Sequence, residues 1–98
     1  MANTAPNLDD VRRILREQLP SPAYHAVLFG SRARHRARPG SDWDVGLIGP
    51  APLPGAVVQR IREALEDLRT LHTFDVVDLV ATPDAFRAEA LANAEPLV

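Results

Sequence analysis

Apolar residues recur along the chain at two spacings, and each spacing predicts a different kind of element. Two segments repeat an apolar residue every three or four positions, as the buried stripe of an amphipathic helix does. Their apolar positions are Leu8, Val11, Leu15 and Leu19 in the first segment, and Val58, Ile61, Leu65 and Leu68 in the second. A further helix, which carries Phe86, Ala90 and Leu91, is predicted from its start signal, with Thr82 as the cap and Pro83 in the first turn.

Three shorter apolar runs predict buried strands. They cover residues 23–30, 42–49 and 73–80 and are rich in valine, leucine and phenylalanine, which suit a pleated, buried surface. Between the first two runs, residues 31–37 are predicted to form a short, arginine-rich turn of helix. The predicted order is helix, strand, short helix, strand, helix, strand, helix, which is an α/β (α+β) arrangement.

The lengths of the connections predict how the strands pair. A short connection makes the first two strands antiparallel, and a helical crossover returns the third strand parallel to the second. The sheet is therefore predicted to be small and mixed. The end of the first strand lies beside the starts of the other two.

Two aspartates stand at the start of the second predicted strand. Asp42 and Asp44 are two residues apart, so they project from the same face of the sheet, while Trp43 faces a helix layer on the other side. Neighbouring carboxylates repel each other unless a hard divalent cation such as Mg²⁺ neutralises them. A calcium loop of the EF-hand type is excluded, because its twelfth position would be Leu53 instead of glutamate. The alternative is that both aspartates are solvated residues without a ligand.

Gly30 and Ser31 follow the first predicted strand directly and open the short helix. A glycine at a strand end lets a ligand approach the backbone, and the free N–H groups of a helix start attract anions. The pair is thus a candidate phosphate site, although a plain turn with a serine cap would look the same. Because a strand end and the next strand's start lie together, the phosphate site and the aspartate pair are predicted to face each other.

Composition narrows the possible functions. The chain has 98 residues and a formal charge of -2, which predicts one domain over residues 1–98 and no general nucleic-acid binding. It has no cysteine and no lysine, so disulfides, thiolate chemistry and a Walker-type phosphate loop are excluded. We expect neither a membrane span nor a signal peptide, and therefore a cytoplasmic location.

The spacing of Gly30-Ser31 and Asp42-x-Asp44, together with the runs "SRAR" and "SDWD", resembles the signature of the minimal nucleotidyltransferases. These form the MNT branch of the DNA polymerase β-like superfamily. The last quarter of the chain, "FDVVDLVATPDAFRAEALANAEPLV", also resembles that family. The resemblance implies the nucleotidyltransferase fold and the transfer of a nucleoside monophosphate, AMP from ATP, with the help of two Mg²⁺ ions.

The resemblance also implies roles for individual residues. Asp42 and Asp44 match the two metal-binding aspartates, and Gly30 and Ser31 match the phosphate-binding pair. Asp75 corresponds to the third carboxylate of the family's pattern, and geometry agrees because Asp75 lies at the start of its predicted strand.

Asp78 is the lesser candidate for the third carboxylate, because three residues along a strand reverse the facing. Arg32 and Arg34 open the helix after the phosphate pair. We expect one of them to contact the triphosphate, with a purely solvated role as the alternative.

The acceptor of the nucleotide is suggested only by the resemblance. A chain of this length has no second domain to hold it, and MNT proteins act as antitoxins of HEPN/MNT toxin–antitoxin pairs that transfer AMP to a tyrosine of the HEPN toxin. This implies a HEPN-type toxin as partner. Two alternatives stay open: a binding module without turnover, and a transferase that acts on a small-molecule hydroxyl with a helper subunit.

Overall fold

The structure, a computed structural model, describes residues 8–29, 42–68 and 73–98. Its elements in chain order are α1 (Leu8–Gln18), β1 (His25–Phe29), β2 (Asp42–Ile48), α2 (Gly55–Glu66), β3 (Thr73–Asp78), a 3-10 turn (Leu79–Ala81), α3 (Asp84–Ala92) and β4 (Glu95–Pro96). The predicted helix at residues 31–37 lies outside the described residues. Three helices and a mixed sheet confirm the predicted α/β class.

The strands form one sheet in the order β3-β2-β1-β4. β1 and β2 are antiparallel, whereas β2 and β3 are parallel, as the lengths of the connections predict. β4 was not predicted. It adds to β1 through Pro96 and Glu95, which pair with Val27 and Leu28, and so occupies an edge that the sequence pattern left open.

One face of the sheet carries the main core. Its buried members are Val11, Ile14 and Leu15 of α1, Ile61 and Leu65 of α2, Ala26 and Leu28 of β1, Trp43, Val45 and Leu47 of β2, Phe74 and Val76 of β3, with Leu53 and Leu97. The predicted facing of Trp43, Val45 and Leu47 toward a helix layer is thus confirmed. Burial of these apolar side chains, at about 25 cal/mol per Å² removed from water, holds α1 and α2 against the sheet.

The opposite face carries a smaller apolar cluster and is the face on which the candidate site lies. Val27, Phe29, Leu79 and Ala90 are its buried members. They bring the 3-10 turn and α3 onto the middle of the sheet. The cluster includes Phe29 of β1, which stands opposite Asp44 of β2, so it borders the candidate site.

The last helix differs from its predicted start. α3 begins at Asp84 with Pro83 as its N-cap and with no side-chain cap hydrogen bond. Thr82 instead closes the preceding 3-10 turn, where its hydroxyl donates to the Leu79 carbonyl at 2.6 Å. The prediction that Thr82 caps α3 is therefore wrong, because a local bond to the preceding turn takes the hydroxyl.

The apolar positions of the helices are not all buried. Leu68 lies two residues beyond the end of α2. In α3, Ala90 is buried, whereas Phe86 and Leu91 are 46% and 38% exposed. Residues five apart lie about 140° apart around a helix, so Phe86 and Leu91 do not form one apolar stripe.

Among the described residues, no helix has the length and apolar character needed to cross a membrane.

Candidate functional site

One row of residues crosses three strands on the second face. Asp44 of β2 stands opposite Phe29 of β1 and opposite Asp75 of β3. Residues that are paired in register point to the same face of a sheet. Phe29, Asp44 and Asp75 therefore share the face that carries the smaller cluster, and the next row along the strands is Val27, Gly46 and Val77.

The pair Asp44 and Asp75 offers oxygen ligands side by side. Adjacent strands lie about 4.8 Å apart, and Asp44 is half-buried while Asp75 is exposed. Carboxylate oxygens are the ligands that Mg²⁺ prefers, and it keeps waters or substrate phosphates in its other positions. Two neighbouring carboxylates, one of them exposed, fit such an ion, which would also remove their mutual repulsion.

The third predicted ligand is placed only by its backbone. Asp42 opens β2 and pairs in register with Thr73, but its side chain lies outside the described residues. Within the side chains that the structure describes, no three carboxylate, histidine or cysteine groups come together as a metal site. The structure thus brings two of the three predicted carboxylates together, and the complete set stays a prediction.

Asp78 has a different environment from Asp75. Its Oδ2 accepts a hydrogen bond from the Leu53 backbone N–H at 2.8 Å, and its Oδ1 accepts one from the Val80 N–H at 3.1 Å. Asp78 pairs with Leu47, whose side chain lies in the main core on the other face. The carboxylate of Asp78 therefore links the end of β3 to Leu53, in the segment that precedes α2.

The predicted phosphate-binding residues Gly30, Ser31, Arg32 and Arg34 lie outside the described residues. The structure does place Phe29, which precedes Gly30 in the chain and stands opposite Asp44. The expected meeting of the first strand's end with the second and third strands is therefore present as far as the description reaches.

Two positions beside the aspartate row were not identified from the sequence. Gly46 follows Asp44 on the same face, and a Cβ built there would lie 2.5 Å from Leu79 Cδ1 and 3.2 Å from Phe29 Cδ1. Phe86 of α3 makes an edge contact with Phe29, with ring centroids 6.4 Å apart and planes at 83°. Gly46 could have been noticed as a glycine inside a strand pattern, which often marks a close approach. Phe86 gave no signal beyond its apolar character.

Comparison with known proteins assigns the chain to a protein family. Residues 10–98 match the family described as "Polymerase beta, Nucleotidyltransferase". The chain belongs to this family, as the resemblance predicted.

Particular relatives narrow the likeness further. The chain is 31% identical over 77 residues to "Probable protein adenylyltransferase MntA" of Haemophilus influenzae, a match that covers 79% of this chain and 66% of that protein, just under two thirds.

Solved structures resemble the fold. A toxin–antitoxin complex containing an MntA mutant superposes with a TM-score of 0.73 at 18% identity, covering 94% of this chain and 72% of that one. A toxin–antitoxin structure with AMP-PNP gives 0.70 at 21% identity, with coverage of 94% and 73%. A complex of a tri-AMPylated HEPN toxin from Shewanella oneidensis with its MNT antitoxin gives 0.67 at 17% identity, with coverage of 93% and 68%.

Proposed function

We propose that this chain is a Mg²⁺-dependent protein adenylyltransferase, which transfers AMP from ATP to a tyrosine hydroxyl of a HEPN-type toxin and acts as the antitoxin of that pair. The observation that carries the proposal is the register of Asp44 beside Asp75 on one face of the sheet in a member of the nucleotidyltransferase family. The cytoplasm, expected from the sequence, is a compartment that supplies ATP.

The relatives support the choice of nucleotide and acceptor. One is named as a probable protein adenylyltransferase, one similar fold was solved with the ATP analogue AMP-PNP, and another is bound to an AMPylated HEPN toxin. A formal charge of -2 over 98 residues argues against general nucleic-acid binding. A protein that presents its own hydroxyl is therefore the acceptor that we favour.

The proposed reaction is a displacement at the α-phosphate of ATP. The acceptor oxygen forms a bond to the α-phosphorus while the bond from this phosphorus to the oxygen that bridges the α- and β-phosphates breaks. Pyrophosphate leaves, and the acceptor hydroxyl gives up its proton. Tyrosine has an ordinary pKa of about 10, so this proton must be made easier to remove near neutral pH.

Each predicted site residue has a defined part in this reaction. Asp42, Asp44 and Asp75 would hold Mg²⁺, which when bound neutralises phosphate charge and makes the hydroxyl more acidic. Asp75, which is exposed where Asp44 is half-buried, would face the acceptor and assist in removing its proton. Gly30 and Ser31 would bind the phosphates that leave, with Arg32 or Arg34 as the countercharge.

Co-expression with a HEPN-type protein from the same organism tests the proposal. Intact-mass spectrometry of that partner should show one or more added AMP units, and peptide mapping should place them on tyrosine. The added mass should disappear when the chain carries Asp44→Asn, with co-purification of the two proteins retained.

Two outcomes would contradict the proposal. A partner that is bound and silenced equally well by the Asp44→Asn chain, with no change of mass in either case, would favour a binding module without turnover. AMP found on a small-molecule hydroxyl, and not on the partner, would make the partner a helper subunit.

A further inference from the structure

The described surface has one aromatic ring that is exposed beside the aspartate row. Phe86 is 46% exposed, although Ala90, one helical turn further along the same side of α3, is buried against the smaller cluster. α3 therefore packs on the sheet through Ala90. Phe86, in the first turn of α3, lies at the margin of the smaller cluster.

Phe29 fixes the position of this ring. The two rings meet edge to face with centroids 6.4 Å apart, which is a favoured arrangement of aromatic pairs. Phe29 itself is only 7% exposed, and it stands opposite Asp44 in the register. Phe86 is thus an aromatic surface held next to the site by a buried partner, and ordering it on binding would cost little conformational entropy.

A protein-docking patch explains the exposed ring less well. Leu91, the other large exposed apolar residue among those described, lies about 140° away around α3. The two therefore do not form one continuous apolar surface such as a partner helix would cover. Phe86 instead contacts Phe29 of β1, and Asp44 stands opposite Phe29 on the adjacent strand β2.

We propose that Phe86 is the platform on which the base of the nucleoside triphosphate stacks. This inference rests on the proposed function and adds a base-binding residue to it. A planar, exposed ring binds a planar base through stacking, which is typically worth a fivefold to hundredfold change in affinity and depends little on the identity of the base.

The acceptor tyrosine also has a planar ring that could stack on Phe86. The position of Phe86 beside β1 favours the nucleotide base as the group that stacks there. Phe86 contacts β1, and the residue that follows Phe29 is Gly30, the first of the predicted phosphate pair. Asp75, which faces the acceptor, lies on β3, two strand spacings or about 10 Å from β1. The ring is therefore on the nucleotide side of the site.

Binding measurements with two probes test this role. The probes are α,β-methylene ATP, whose α–β linkage cannot be broken in this transfer, and inorganic tripolyphosphate, which has no base; both are titrated calorimetrically in the presence of Mg²⁺. Phe86→Leu, which keeps an apolar side chain against Phe29, should weaken binding of the ATP analogue about tenfold and leave tripolyphosphate binding unchanged. Phe86→Tyr should bind both probes as the wild type does.

Leu91→Ala is the matched control, since it truncates the other large exposed apolar side chain of α3, and it should alter neither affinity. Equal losses for both probes in Phe86→Leu would overturn the inference by showing that the change disturbs the site through Phe29. Unchanged analogue binding with a raised KM for the acceptor protein would assign the ring to the acceptor instead. A wild-type chain that binds neither probe would contradict the proposed function itself.

Discussion

Asp75 and Asp78 lie three positions apart in one strand, and this spacing puts their carboxylates in different environments. Asp75 is exposed beside Asp44, whereas both oxygens of Asp78 accept backbone N–H groups. We predict that Asp75→Asn lowers the transfer rate roughly a hundredfold or more, because a metal ligand that supplies several kcal/mol of charge stabilisation is lost. Rates would be measured with ATP, Mg²⁺ and the acceptor protein.

Asp78→Asn is the control for that prediction. Its remaining carbonyl oxygen keeps one of the two acceptor positions, so the rate should stay near that of the wild type while the free energy of unfolding falls by about 1 kcal/mol. A larger loss of rate at position 78 than at position 75 would show that the assignment of the third carboxylate is wrong.

Asp44→Asn tests whether the aspartate row is a site for cations. Without Mg²⁺, the amide removes repulsion between like charges on neighbouring strands, so the folded state should be unchanged or slightly more stable, by up to about 1 kcal/mol. Transfer should nevertheless be lost. Thermal unfolding in a chelator, run beside the rate assay, checks both effects, and a destabilised variant would indicate that Asp44 mainly supports the fold.

At the scale of elements, the approach of the 3-10 turn to β2 depends on a missing side chain. A Cβ at Gly46 would lie 2.5 Å from Leu79 Cδ1 and 3.2 Å from Phe29 Cδ1, and both neighbours are buried. We predict that Gly46→Ala destabilises the protein by about 1–3 kcal/mol through overpacking. Urea unfolding measures this loss.

Gly55→Ala is the matched control, since a Cβ there meets nothing within 4 Å and Gly55 is the first residue of α2. It should be neutral or stabilise by up to about 1 kcal/mol, because alanine restricts the unfolded chain. If Gly46→Ala and Gly55→Ala lose stability equally, then the packing of the 3-10 turn on β2 has room for a side chain at position 46, and the prediction is wrong.

For the whole molecule, ligand binding and folding are linked through the same site. A ligand that binds only the folded state stabilises it by about 2.7 kcal/mol at a concentration 100 times its Kd, which raises the Tm of a domain of this size by roughly 10 °C. We predict such a rise for Mg²⁺ with α,β-methylene ATP in the wild type. Differential scanning calorimetry should show no rise in Asp44→Asn, and an equal rise in both would place the ligand elsewhere.

The sequence by itself determined the helices α1 to α3, the first three strands and their directions, and the facing of the residues in those strands. These follow from local physics, since hydrophobic periodicity identifies the buried side and the length of a connection limits how two strands can pair. That is why Asp44 and Asp75 could be expected on one face, and Asp78 on the other, from parity alone.

Only the tertiary structure decided which residues meet across that face. The register that sets Phe29, Asp44 and Asp75 in one row and the pairing of β4 with β1 result from packing between segments distant in the chain. The tertiary structure also decided that the Thr82 hydroxyl donates to the Leu79 carbonyl. It likewise decided that Phe86 is exposed beside Phe29. A local sequence pattern does not predict such contacts, because their energy depends on which distant segments of the chain pack against the same residues.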